Sequence, residues 1–331
     1  MDQQVIDTVQ RALEGACLAD EELLPLFALD TFSAEAAHVK WGADVLARRA
    51  SKGRGQIYAQ IGVDMLPCPC DCAFCTLAIG NAGQDIKDRD REELIVPTAQ
   101  VAEYARIFDE AGVHLISLMA TAALPFDRYL EMVKAVRLAV ADDAVIMANA
   151  GDMTLEQALA LKDAGVQVAY HAHRLGEGQI TKLPSEKRLA TLRNIKEAGL
   201  EVMTAVEPVR QGVPAEEILG RMREVHSFEP YCSGVGTLTA VPGTRMGGEQ
   251  PLSRERTLFY ASIMRLMVGE SVPFGCGGRN VLWTDAGTNP RGRSLPTDPD
   301  YLRRDVRRCR KELIGREWEV PARPILGKKG Y

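Results

Sequence analysis

Short runs of Val, Ile, Leu, Met and Ala alternate along most of the chain with longer segments whose apolar side chains return every three or four residues. The first pattern suits a strand buried on both faces, and the second an amphipathic helix. Strands are predicted at 57–66, 114–119, 145–150, 166–170, 201–206, 234–240 and 281–283. Helices are predicted at 98–111, 126–139, 154–164, 184–199, 214–225 and 253–267. Punctuation supports these boundaries. Gly112, Gly165 and Gly199 close helices, whereas Pro184 and Pro214 open them, where a missing N–H costs nothing. Residues 1–52 read as helices alone, one of them starting after Ser33 and ending at Ser51-Lys52-Gly53.

Strands that alternate with helices of this length imply parallel pairing through crossovers. Six clear βα repeats and one or two weaker ones predict an α/β fold, a complete (β/α) barrel of the TIM type. An open doubly wound sheet is the alternative, and it is weakened because no Gly-x-Gly-x-x-Gly follows the first strand. The expected division is an N-terminal helical cap at 1–52, the barrel at 53–285, and a C-terminal extension at 286–331 that wraps the barrel. Chemistry in such barrels sits at the C-terminal ends of the strands.

Composition narrows the functions. At 331 residues and 46% hydrophobic the chain can bury a large core, and a net charge of -5 argues against nucleic acid as its partner. Arg303, Arg304, Arg307, Arg308, Arg310 and Lys311 form a basic stretch, read either as a solvated helix face or as a surface for an acidic partner or anionic substrate. The N-terminus is polar and no apolar run approaches about 18 residues, so a cytoplasmic protein without membrane contact is expected. In a reducing compartment, clustered cysteines are metal ligands or catalytic groups more often than disulfides.

Half of the eight cysteines fall in Cys68-Pro69-Cys70-Asp71-Cys72-Ala73-Phe74-Cys75, directly after the first predicted strand. Cys68, Cys72 and Cys75 have the spacing C-x3-C-x2-C. Three thiolates can hold three irons of a [4Fe-4S] cluster and leave the fourth open to an external chelate. A zinc site built from all four thiols is the alternative, and Cys-x-Cys-x-Cys is cramped for it. Cys70 is left over as a non-ligand, while Phe74 would shield the cluster and contact an adenine ring. Cys17, Cys232, Cys276 and Cys309 are scattered; the last three could form a second site or serve as small buried residues.

The cysteine spacing with Phe74 before Cys75, the segment Arg188-Leu189-Ala190-Thr191-Leu192 and the late Gly277-Gly278-Arg279-Asn280 resemble the radical S-adenosylmethionine superfamily, in its biotin synthase branch. That branch includes hydrogenase maturases and methylornithine synthase. The resemblance implies a [4Fe-4S] cluster and S-adenosylmethionine as cofactors, the latter bound to the open iron through its amino and carboxylate groups. It implies reductive cleavage to a 5'-deoxyadenosyl radical, a small-molecule substrate, and an electron donor such as flavodoxin or ferredoxin. Arg188 stands where the branch has an arginine for the carboxylate of S-adenosylmethionine, and Glu177 for its ribose hydroxyls. Tyr170, His171, His173 and Glu207 are catalytic or substrate-contacting candidates at strand ends, with Asn149 and Asp152 beside them.

Departures from the branch also matter. Where relatives carry a Gly-Gly-Glu-like element, this chain has Leu118-Met119-Ala120-Thr121-Ala122, which leaves Thr121 as the polar contact. The strand ends at 116–123, 145–152 and 202–209 lack the cysteines of a sulfur-donating second cluster. A rearrangement, fragmentation or maturation reaction is therefore expected, ahead of sulfur insertion and of a non-catalytic iron–sulfur or zinc protein.

Overall fold

A computed structural model describes residues 1–276, 279–284 and 299–322. Eight parallel strands follow the order β7-β6-β5-β4-β3-β2-β1-β8 in a nearly closed barrel. They are β1 (Gln56–Gly62), β2 (Leu115–Met119), β3 (Val145–Asn149), β4 (Val168–Tyr170), β5 (Glu201–Val209), β6 (Cys232–Thr237), β7 (Phe274–Gly275) and β8 (Val281–Trp283). The helices are α1 (Gln3–Leu13), α2 (Asp20–Leu23), α3 (Ala34–Ser51), α4 (Gln84–Lys87), α5 (Thr98–Glu110), α6 (Phe126–Ala139), α7 (Leu155–Asp163), α8 (Ser185–Glu197), α9 (Ala215–Ser227), α10 (Arg254–Val268) and α11 (Pro299–Gly315).

Proline opens more helices than expected: Pro97, Pro125, Pro184 and Pro214 are the N-caps of α5, α6, α8 and α9. Each fixes its own φ and gives up no backbone donor that the helix needs. Inside the barrel, Tyr58, Leu115, Met147, Val168, Met203, Cys232 and Phe274 form one apolar cluster, with every strand from β1 to β7 contributing. A larger core fills the space between strands and the ring of α5, α6, α7, α8 and α11. A third joins α1 and α3 to α9 and α10.

The seam lies between β7 and β8. β7 has two residues, paired only with the start of β6 (Cys232↔Phe274, Ser233↔Gly275), and residues 276–280 are too few for a crossover helix before β8. The approach is very close here, because a Cβ on Gly275 would meet the Ser233 carbonyl oxygen at 2.0 Å and its φ is +77°. Periodicity did not reveal β7, since two residues have no period. It also placed β6 two residues late, because Gly234 and Gly236 dilute the apolar signal.

The described part of the expected C-terminal extension is α11 and the few residues after it. Leu302, Val306, Cys309 and Leu313 bury one stripe of α11 in the main core, so this helix belongs to the barrel's ring. Residues 285–298 and 323–331, most of which fall in the expected extension, lie outside the described residues. Much of the basic stretch is used internally: Arg308 pairs with Asp305 at 2.7 Å, and Arg310 donates to the carbonyls of Gly112 and Val320, both at 3.1 Å. Among the described residues no helix is long and apolar enough to cross a membrane.

Arg265 ties α10 to the seam. It is fully buried and donates to the carbonyls of Cys276 (3.2 Å), Gly269 (2.9 Å), Val272 (2.6 Å) and Gly275 (3.1 Å). Arg265→Met would strand these acceptors, and a loss of about 4 kcal/mol is expected. It should be visible as a lowered melting temperature; a change under about 1 kcal/mol would show that the acceptors find other partners.

His114 links β1 to the C-terminal segment, accepting from Ile57 N at 3.0 Å through Nδ1, with Nε2 2.9 Å from the Pro321 carbonyl. Burial lowers it from 6.5 to about 4. Its neutral form is therefore the folded form, and between those values only the unfolded chain takes up the proton. Stability should be intact above pH 6.5 and fall by on the order of 3 kcal/mol towards pH 4. Melting temperatures measured across that window should decline less steeply for His114→Asn; an identical slope would remove His114 as the cause.

Candidate active site

A cavity of about 780 Å³ runs from the loop after β1, across the strand ends, to the seam. Cys68, Cys70, Cys72 and Cys75 all line it. A loop this rich in side chains with one duty must satisfy its backbone elsewhere, and two polar residues do so.

Asn81 is the first. Its Nδ2 donates to the carbonyls of Cys72 (3.2 Å), Ala73 (3.0 Å) and Cys75 (2.9 Å), while its Oδ1 accepts from Arg245 N at 3.2 Å. Two protons serve three carbonyls, which draws those carbonyls to one point. Asp71 is the second. Its backbone is left-handed, at φ 50°, and its buried carboxylate accepts from Gly80 N at 2.8 Å. It also pairs with Lys182 and Arg245, each at 3.0 Å. A Cβ on Gly80 would stand 2.7 Å from that carboxylate, so glycine is needed there. The loop is further stitched to the segment after β4, by Ala73 N to Ile180 O at 2.7 Å and Lys182 N to Cys70 O at 2.9 Å.

The thiols are not alike. Hydrogen bonding from Cys70 holds Cys68 at about 6 and pushes Cys70 itself upward. Burial pushes Cys72 up to about 11. Cys70, expected as a bystander, thus touches a candidate ligand. Among the described residues no three Cys, His, Asp or Glu side chains converge on one ion. A four-iron cluster is wider than an ion and takes each thiolate at a separate corner.

Beyond the loop, Phe74, Thr121, Asn149, Tyr170, Arg188 and Glu207 all line the cavity. Their freedom to act differs. Thr121 donates its hydroxyl to Asp64 Oδ2 at 2.5 Å, and its N–H goes to Asp64 Oδ1 at 2.8 Å. Arg188 reaches Asp152 at 2.7 Å, the Ala172 carbonyl at 3.1 Å and Glu177 at 3.5 Å. Asp152 would be raised by burial, but His171 and Arg188 outweigh that and hold it at about 2. Glu177 does not line the cavity. It accepts from Thr181 Oγ1 at 2.5 Å and Arg174 N at 3.0 Å, and so braces its own loop.

The two histidines expected at the mouth face the other way. Tyr170 points into the cavity, so strand alternation sends His171 and His173 behind the wall. His171 Nε2 lies 3.1 Å from Asp152, and burial lowers it to about 4. His173 sits against α9, 2.8 Å from Glu224 and in contact with Arg221. The same alternation carries Arg174 inward, where sequence reasoning did not look. Its guanidinium lies over the Phe74 ring at 5.9 Å, and its buried Nε has no hydrogen-bond partner, the nearest carboxylate being Glu207 at 3.5 Å. Beside them the Tyr170 phenol is held protonated by burial and by the Glu207 charge.

Of the scattered cysteines, Cys232 and Cys276 line the deep cavity, with Cys276 Sγ 2.8 Å from Ser233 Oγ. Cys309 packs in the core around α11 instead, so these three do not form one site.

No protein-family model matches the chain. Biotin synthase of Coxiella burnetii is 32% identical over 227 residues, which cover 65% of this chain and 67% of that one. Biotin synthase of Carboxydothermus hydrogenoformans is 23% identical over 330 residues, covering 91% and 97%. Among solved structures, methylornithine synthase superimposes with a TM-score of 0.78 at 18% identity, covering 95% of this chain and 97% of that one. The FeFe-hydrogenase maturase HydG of C. hydrogenoformans gives 0.69 at 17% identity, covering 97% and 70%. The barrel is thus shared with these structures, and the sequence likeness to biotin synthases extends through most of it. The chain belongs to the radical S-adenosylmethionine superfamily, in its biotin synthase-like branch.

Proposed function

We propose that Cys68, Cys72 and Cys75 hold a [4Fe-4S] cluster beside S-adenosylmethionine, and that the enzyme abstracts hydrogen from a small molecule in the cavity. The observation that carries this reading is the placement of three thiols, at C-x3-C-x2-C spacing, on the wall of one large cavity at the strand ends. Family membership itself implies an iron–sulfur cluster and S-adenosylmethionine. When bound, these groups supply a 5'-deoxyadenosyl radical by one-electron cleavage, with flavodoxin or ferredoxin as the electron donor.

The chain's own residues bind, orient and exclude water. Asn81 and Asp71 keep the loop backbone occupied, leaving the thiols for the metal. Phe74, braced by Arg174, offers an apolar face to an adenine ring. Asn149 and Arg174 present polar side chains to the methionyl end or to substrate, Arg174 beside Glu207 at 3.5 Å. Arg188, with Asp152, fixes the ends of β3 and β4, and Tyr170 offers a protonated hydroxyl beside Glu207. The ends of β2, β3 and β5 present Met119, Asn149 and Glu207 to the cavity and no cysteine, which supports rearrangement, fragmentation or cofactor maturation over sulfur insertion.

Anaerobically reconstituted protein should contain about four irons and about four sulfides per chain. With dithionite it should convert S-adenosylmethionine to 5'-deoxyadenosine. Cys72→Ala should lower that conversion at least about 100-fold and lose iron; Cys70→Ala should keep both. Equal turnover in Cys72→Ala would overturn the ligand assignment. Iron clearly above four that is lost in Cys232→Ala would instead support a sulfur-donating second site.

A further inference from the structure

Among the described residues the cavity reaches the seam between β7 and β8, and there it is lined by three guanidinium groups and Glu312. Arg254 begins α10, Arg279 precedes β8, and Arg316 follows α11, so three separate elements bring one cation each to this seam. Arg316 is partnered by Glu312, a carboxylate shared with Arg308 at 3.5 Å. Arg254 and Arg279 make no hydrogen bond or ion pair among the described residues. Partial desolvation, followed by the Arg316 and Arg254 charges, disfavours the charged form of the exposed Arg279, and the nearby Asp44 and Glu312 offset this only in part. Bound anionic oxygen would relieve that imbalance.

Arg279 is also held in an uncommon backbone state. Its φ is 49°, in the region that side chains other than glycine seldom adopt. Its neighbour Asn280 is fully buried and pins it there. The Asn280 side chain accepts from Gly275 N at 3.1 Å and donates to the Pro273 carbonyl at 3.0 Å, and its own carbonyl accepts from Gln56 N at 2.7 Å. A guanidinium on a fixed backbone is pre-organised for a ligand.

We infer that the seam end of the cavity binds an anionic group of the substrate, a carboxylate or a phosphate, through Arg279 and Arg254. That the anion belongs to the substrate rests on the function proposed above; that the seam binds anions does not. The test is calorimetric titration of reconstituted protein, at low ionic strength, with inorganic phosphate and separately with acetate. Saturable binding of at least one is expected, weakened at least about ten-fold by Arg279→Gln and by Arg254→Gln. Cys72→Ala should leave it unchanged, which separates this inference from the cluster assignment. Tighter phosphate binding assigns a phosphate-bearing substrate, and tighter acetate binding a carboxylate. Absence of saturable binding for both anions would overturn the proposal, as would equal affinity in both arginine variants. If Arg279→Gln lowers the melting temperature, Arg254→Gln, at an exposed helix start, decides.

Discussion

Three carbonyls of the cysteine loop converge on the single carboxamide of Asn81, and much else in the site depends on that convergence. A short loop bearing four thiols has no secondary structure to absorb its backbone polarity. If its carbonyls turned towards the cavity, they would compete with the sulfurs for whatever binds there. Asn81 draws them away, Asp71 fixes the sharp turn between Cys70 and Cys72, and Arg245 connects the two by donating to both. The barrel then supplies position: β1 ends just before the loop, and the ends of β2 to β6 form the facing wall.

The unfinished side of the barrel matters as much as the finished side. With β7 cut to two residues, the sheet cannot close, and Arg265 holds the edge by occupying four carbonyls at once. Among the described residues the cavity extends there to Leu258 and Ala261 of α10. One end of the cavity is thus soft and thiol-lined, and the other is hard and cationic.

Much of this was legible in the chain. Helix-opening prolines, helix-closing glycines and apolar strands gave the barrel, and the clustered cysteines marked a loop that lines its cavity. What stayed hidden had physical reasons. β7 is too short to show a period, and the stripe Leu302, Val306, Cys309 and Leu313 was obscured by the arginines around it. Of the candidates named after β4, Tyr170 faces the cavity with Arg174, whereas His171 and His173 face helices and carboxylates behind it. Asn81 and Arg245 have no local signature, because their importance comes from chain segments that meet only in the fold. Thr121 and Glu177 were identified as polar at the right strand ends, yet their oxygens are engaged by Asp64 and Thr181.

The central claim is that three cysteines bind a cluster with one iron open to S-adenosylmethionine. Electron–nuclear double resonance on the reduced, reconstituted protein, with S-adenosylmethionine carrying 15N in its amino group, tests this directly. A nitrogen hyperfine coupling to the cluster spin, absent when unlabelled cofactor is used, is the predicted result. A cluster signal that is unchanged by either form of the cofactor would contradict the account.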